Sequence, residues 1–401
     1  MGHMKNRMEQ QDAQGWNFTE GWVCENCVND YALKAEIESA SEDENECTFC
    51  GSSPAADLDV LLEAFMDGIW SEYGDANDEG VMYESREGGY LWHKKWDTYE
   101  LLDDFWDVLT GDGLLEAVKE SIHDRVWVER NFAWPRQDEA LSASWERFCY
   151  AVKHETRYVF WLMRDPDEDS ANYTGEVPAS RILYELGKLL MDFDLVVVLP
   201  AGYRSWRART HKEESVTWGA ADLGTVPVEK AKEANRMSPP GISLFYGSED
   251  ADTAIAEVTQ RKKDPWVTAG LFETSAPCTV VDFTNLPEVP SLFDSRNHHR
   301  RRPLMFLHGF AEDVRRPARE TWEQLDYVPT QVMTEYLLKV FMNGEVVSGI
   351  QYRSALTGQV SVALEVPNSA CVPKADGWSA ADHLRLGLNT DSVATRKNPS
   401  L

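Results

Sequence analysis

Cys24-x-x-Cys27 and Cys47-x-x-Cys50 stand nineteen residues apart. Each pair can offer two thiolates from one tight turn, and Gly51 follows where the chain must reverse. This is the spacing of a tetrahedral four-thiolate zinc site, with two disulfides as the competing reading. Four thiolates leave no open coordination position, so such a metal holds structure rather than doing catalysis. Cys149, Cys278 and Cys371 sit in apolar stretches and read as buried thiols. A reducing cytoplasm fits both uses of cysteine.

Three polar–aromatic stretches could carry organic chemistry. In Ala201–Arg209, a strand would place Arg207 and Arg209 on one face and Trp206 and Ala208 on the other. Two guanidiniums on one face suit a diphosphate, or else an exposed strand face. The second stretch runs from Asn235-Arg236-Met237 through a Pro-Gly turn to Phe245-Tyr246-Gly247, then into a helix bearing Glu257. A carboxylate among Ala254, Ile255 and Val258 must pair or do chemistry. The third is Asp326-Tyr327-Val328-Pro329-Thr330-Gln331 followed by Gly349-Ile350-Gln351-Tyr352-Arg353-Ser354. Pro329 pre-sets a helical first turn, so Thr330 and Gln331 fall where free backbone donors need partners. Ser354 ends a strand and reads as a turn serine or a site residue.

The elements that must position these residues follow from periodicity. Residues 17–54 form the cysteine module, too short to hold a core unaided. Residues 55–194 are predicted as an all-α domain of about five helices, striped by Leu58/Leu61/Leu62/Phe65/Ile69 and, last, Ile182/Leu186/Leu189/Leu190/Phe193. Residues 195–375 change to short β-like runs with at least two helices, a mixed α+β domain. Residues 1–16 read as a tag and disordered start, with Met1-Gly2-His3-Met4 a cloning scar, and 376–401 as a flexible tail. The acidic stretch Asp165–Glu176 reads as a loop.

Composition narrows the partners. Acidic residues number 68 against 39 basic, a net charge of −29. Such a surface repels nucleic acid and anionic membranes, while leaving room for a small cationic pocket. The run His298-His299-Arg300-Arg301-Arg302 is the local exception and reads as a solvated loop. No apolar run reaches the roughly 18–20 residues of a membrane span.

Taken in order, Arg207, Asn235-Arg236-Met237, Phe245-Tyr246-Gly247, Thr253-Ala254-Ile255-Ala256-Glu257-Val258, Tyr327-Val328-Pro329-Thr330-Gln331 and Gly349–Ser354 resemble the RES domain, named for its arginine, glutamate and serine. The resemblance covers about residues 195–372. The knuckles and helices ahead of it resemble the HEPN/RES-NTD1 region of multidomain RES proteins. The resemblance implies an α+β fold similar to ADP-ribosyltransferases and cleavage of NAD⁺ as substrate. It also implies a toxin-like role in growth arrest or phage defence, with an antitoxin or regulatory protein as partner and a homo-oligomer as the working form.

By position, Arg236 and Tyr246 match the cofactor-pocket arginine and tyrosine, Glu257 the glutamate, Ser354 the serine and Arg207 the first-strand arginine; Thr330 and Gln331 join the cofactor-binding set. Compact RES toxins usually carry Gly-Gly-Arg-Trp-Asn where this chain has Ala234-Asn235-Arg236-Met237-Ser238. Two further readings stand beside NAD⁺ hydrolysis or phosphorolysis. One is ADP-ribosyl transfer to a protein. The other is ribonuclease action by Arg147 and His154, whose spacing resembles the arginine–histidine pair of HEPN ribonucleases.

Overall fold

The computed structural model describes residues 11, 14–86, 88–162, 175–214, 218–319, 321–342, 346–374 and 383–401. Met1–Met4 and most of the Asp165–Glu176 loop lie outside them. The chain divides into two compact units, residues 1–136 with 288–303, and residues 137–287 with 304–401.

The first unit is built on helices Tyr31–Ala40, Leu58–Glu72, Thr98–Asp103 and Leu114–Ser121. Their starts are local decisions of the sequence. The Asp30 carboxylate accepts from the Ala32 and Leu33 amides at 2.9 and 3.1 Å. Asp97 and Glu100 form a reciprocal capping box. The apolar stripe of Leu58–Glu72 buries Leu58, Leu61, Leu62, Phe65 and Ile69 as its period requires. The unit is not all-α, however. Tyr73–Asp75, Val126–Glu129 and Lys95–Asp97 pair into an antiparallel three-stranded sheet. Such short strands lack the length over which alternation can be read.

Residues 288–303 complete this unit's core. Phe293 stacks on Phe65 with centroids 4.9 Å apart. Gly68 makes room for it, since a Cβ there would stand 2.4 Å from the Phe293 ring and 3.0 Å from the Leu292 carbonyl. Gly68→Ala should therefore destabilise the first unit by about 1–3 kcal/mol through overpacking, read as a lower urea midpoint. An unchanged midpoint would show that Phe293 moves away freely. The basic run at 298–302 is not a solvated loop: it opens the helix His298–Arg315, and Arg302 pairs with Glu72. Basic residues at a helix start oppose the helix dipole, which is why the run does not announce a helix.

The second unit carries a nine-stranded mixed sheet. In spatial order its strands are Cys371–Pro373, Leu386–Lys397, Trp266–Thr274, Arg204–His211, Phe245–Ser248, Val360–Leu364, Gly349–Arg353, Cys278–Asp282 and Val196–Leu199. Phe245, Phe272, Val280, Val362, Leu364, Leu386 and Leu388 fill one cluster. Helix Ala251–Arg261 covers another, packing Ala254 and Ile255 on Ala208, Val267 and Ala269. Residues 386–397 are thus no frayed tail. They pair antiparallel with Trp266–Thr274 across eight register positions, with an irregularity between Ala269 and Leu271. Helices Gln137–Tyr150 and Ile182–Asp192 lie in this second unit, although periodicity groups them with the helices before them.

No helix among the described residues is long and apolar enough to cross a membrane.

Candidate active site

A cavity of about 880 Å³ opens in the second unit beside the arginine strand Arg204–His211. That strand pairs with Trp266–Thr274 at eight positions but meets the tyrosine strand Phe245–Ser248 at only one, Ser248↔Trp206. Consecutive residues Arg207, Ala208, Arg209 and Thr210 all line the cavity. Successive strand residues face opposite ways, so the cavity reaches both faces where the two strands part.

Arg207 bridges that parting, its Nη1 donating to the Tyr246 carbonyl at 2.6 Å. Its guanidinium lies 5.1 Å over the Phe245 ring. Arg207 is 8 % exposed, and its Nε has no hydrogen-bond partner among the described residues. Burial, and next the positive charge of Arg209, pull its pKa down to about 9. Arg209 donates from Nη2 to the Gly224 carbonyl at 2.7 Å, and burial lowers its pKa too. No carboxylate among the described residues stands within ion-pair distance of either. A buried cation with a half-buried one beside it and no ion-pair partner is costly, and a bound anion would relieve both.

Glu257 enters from the helix Ala251–Arg261 and lines the same cavity. Ser354, buried at 1 %, donates from Oγ to Glu257 Oε1 at 2.5 Å. Asp250 caps this helix, accepting from the Thr253 amide at 2.7 Å and the Thr253 hydroxyl at 2.8 Å. Thr253 Oγ1 also lies 3.0 Å from Thr357 Oγ1, in the turn that carries Ser354. One hydroxyl network therefore holds glutamate and serine in register.

Tyr246 lines the cavity, with its hydroxyl 2.9 Å from Ser238 Oγ and accepting from the Met237 amide at 3.3 Å. Gln331 fastens the same turn, donating from Nε2 to the Asn235 carbonyl at 2.8 Å. Thr330 Oγ1 donates to the Arg236 carbonyl at 2.6 Å. Thr330 and Gln331 do not line the cavity; their side chains hold the turn that does.

Arg236 lies between the cavity and a helix end. It lines the cavity, but its Nη1 donates to the Val314 and Arg316 carbonyls at 2.7 and 2.5 Å, and its guanidinium lies 5.4 Å over Tyr327. Its cation holds the carbonyl end of a helix, an ordinary role for arginine there.

Tyr352 lines the cavity although the motifs assigned it no role, and Arg209, paired with Arg207 in the sequence, lines it too. Strand alternation points to Arg209, which must share a face with Arg207. Trp218 also lines it, and no local pattern marks that residue.

The four cysteines meet in the first unit. Their Sγ atoms all lie within 4.8 Å of one another, with Cys24–Cys50, Cys27–Cys47 and Cys24–Cys27 at 3.4, 3.6 and 3.8 Å. A tetrahedron with Zn–S bonds of about 2.3 Å has sulfurs roughly 3.8 Å apart, so the cluster is compatible with zinc.

Arg147 and His154 both lie against Tyr150, the Arg147 guanidinium 6.0 Å from the ring centroid. Arg147 pairs with Glu155 at 3.0 Å, and the His154 ring tilts against Tyr150 with centroids 5.1 Å apart. His154 lies in a π-helical turn, Ala151–Glu155, which alters the register that regular helical spacing assumes.

The family model of the RES domain matches residues 204–389, and that of HEPN/RES N-terminal domain 1 matches residues 40–166. The chain therefore carries a HEPN/RES N-terminal domain 1 followed by a RES domain, a domain associated with NAD-acting, toxin-like enzymes. No curated protein and no solved structure matches the chain.

Proposed function

We propose that the chain is an NAD⁺-consuming enzyme that cleaves the bond between nicotinamide and ribose, on an ADP-ribosyltransferase-like scaffold. The observation that carries this reading is one cavity holding a buried and a half-buried arginine, neither in an ion pair among the described residues, and a glutamate fixed by a serine. Arg207 and Arg209 receive the diphosphate. Tyr246 and Tyr352 offer ring faces to the nicotinamide. As the C1′–N bond breaks, its electron pair goes to the nicotinamide nitrogen, which becomes neutral and needs no general acid. The ribose gains oxocarbenium character, and the Glu257 carboxylate opposes that charge. Ser354 is a positioning residue, aiming Glu257 through its hydroxyl.

The acceptor at C1′ is water, phosphate or a protein side chain, and the experiment separates them. Purified protein is incubated with NAD⁺, with and without phosphate, and products are read by mass spectrometry. Free nicotinamide with ADP-ribose marks hydrolysis, and a phosphorylated ADP-ribose marks phosphorolysis. Intact NAD⁺ under all conditions would overturn the reading.

The four cysteines hold one structural zinc, and the amino-terminal unit regulates the RES domain, under an antitoxin or similar partner and within a homo-oligomer. Growth arrest or phage defence in the cytoplasm is the matching biological role. NAD⁺ depletion in cells after induction, absent for Glu257→Gln, tests it.

Arg207→Met separates ligand binding from stability. Apolar replacement of a buried, carboxylate-free cation is often neutral or stabilising. The variant should melt at or above the wild-type temperature while losing the rise in melting temperature that NAD⁺ or ADP-ribose gives. A large drop in the ligand-free melting temperature would make Arg207 a structural residue.

A further inference from the structure

Trp218 lines the cavity wall, and its indole Nε1 is shielded from solvent without a hydrogen-bond partner among the described residues. One side of the ring is backed by His211, with centroids 5.2 Å apart. His211 is itself immobilised: Nδ1 lies 2.7 Å from the Glu213 carbonyl and Nε2 lies 2.8 Å from Thr268 Oγ1. Trp218 also packs against the cluster containing Leu223 and Leu388. It is a fixed aromatic wall with an unmet donor, open on the cavity side.

Its place along the arginine strand gives it meaning. The pairing row Tyr352↔Ser361↔Ser248↔Trp206 sets Tyr352, and beyond it Ser354 with its partner Glu257, at the Trp206 side of Arg207. Arg209, two residues on, bonds to the Gly224 and Leu223 carbonyls at the end of helix Ala220–Leu223, which begins two residues after Trp218. Two strand residues span roughly 7 Å. The cavity therefore runs from a glutamate end with Tyr352, past two cations, to a tryptophan end, which is the order of groups in an extended dinucleotide.

We infer that the tryptophan end is the adenosine subsite, with Trp218 as the stacking wall for the base and its N–H a donor to a ring nitrogen or ribose oxygen. Lys230 and Lys232 also line the cavity, in a chain of net charge −29. They favour the anionic adenylate over a neutral nucleoside. The inference rests on the proposed dinucleotide substrate, but its test does not require cleavage.

AMP binding to the full chain is measured by calorimetry, together with cleavage of NAD⁺ and of nicotinamide mononucleotide, which lacks the adenylate. Replacing a base-stacking aromatic with alanine weakens binding by roughly ten- to hundred-fold. Trp218→Ala should therefore weaken AMP by that factor and raise KM for NAD⁺ likewise, with kcat/KM for the mononucleotide unchanged. Trp218→Phe keeps a ring and should restore most AMP affinity.

A chain that binds AMP through Trp218 yet leaves NAD⁺ intact would sink the cleavage reading and keep this subsite. Unchanged AMP affinity in Trp218→Ala would overturn the subsite. Should that variant not fold, wild-type protein labelled with 5-fluorotryptophan decides instead. The fluorine resonance assigned by its loss in Trp218→Phe must then shift saturably with AMP, and a stationary resonance overturns the proposal.

Discussion

Glu257→Gln is expected to lower NAD⁺ turnover by about 10²–10³-fold, leaving NAD⁺ affinity and melting temperature near wild type. The substitution keeps the side chain's shape and an oxygen that can accept from Ser354 Oγ, now 2.5 Å from the carboxylate. What it removes is negative charge at the cavity wall. In the ground state the ribose carries little of the positive charge that this carboxylate would oppose, so binding should hardly change. In the transition state the ribose is oxocarbenium-like, and removing one such electrostatic interaction typically costs roughly 3–4 kcal/mol. The effect therefore belongs in kcat. If Glu257 were only half of a structural pair with Ser354, the same variant would melt earlier and keep its activity per folded molecule. Turnover, ligand affinity and thermal unfolding on one protein distinguish the two outcomes.

Cys24→Ser should abolish stoichiometric zinc and unfold much of the first unit. Cys24, Cys27 and Cys47 are buried in the same cluster as Leu33, Ile37, Leu61 and Phe65. The cysteine module has no separate core, so loss of the metal reaches the helices Tyr31–Ala40 and Leu58–Glu72. Structural zinc contributes about 10–16 kcal/mol in small modules, comparable to the whole stability of a domain. Elemental analysis should show no bound zinc in the variant. Hydrogen exchange should show protection lost in those two helices and kept in the strands Arg204–His211 and Trp266–Thr274. A zinc-free wild-type protein with both helices protected would refute the assignment.

Periodicity served where a single face is buried. The stripe from Leu58 to Ile69 is a helix because every apolar residue in it meets the core. Arg204–His211 is a strand because its alternate residues part to two environments. The rule failed where polar residues fill an element. Leu386–Lys397 reads as tail because Asn389, Thr390, Asp391 and Ser392 interrupt it, yet Ser392 Oγ accepts from the Leu271 amide at 2.8 Å across the irregularity. A side chain there does what a ladder carbonyl would do.

The site divides on the same principle. Glu257, Tyr246 and Arg207 were legible because each breaks the apolar pattern of a regular element, and the cavity holds all three. Thr330, Gln331 and Arg236 lie in the motifs as well, but their polar groups reach backbone carbonyls of distant segments. Local sequence does not record which carbonyls a fold will bring near. Trp218 stood out least, since its role depends on His211 behind it and on the strand parting beside it.

If the chain cleaves NAD⁺ as proposed, the strand Leu386–Lys397 also sets when that activity can begin during synthesis. Trp266–Thr274 lies between it and the arginine strand, so one side of the central ladder stays open until translation has passed Lys397. Amino-terminal elements fold first on the ribosome, while pairings this distant in sequence close late. Arg207 and Arg209 would then take their positions only after that strand has emerged. On the proposed reading, a nascent chain would leave NAD⁺ intact until this strand has paired, and a product ending before it would lack the activity.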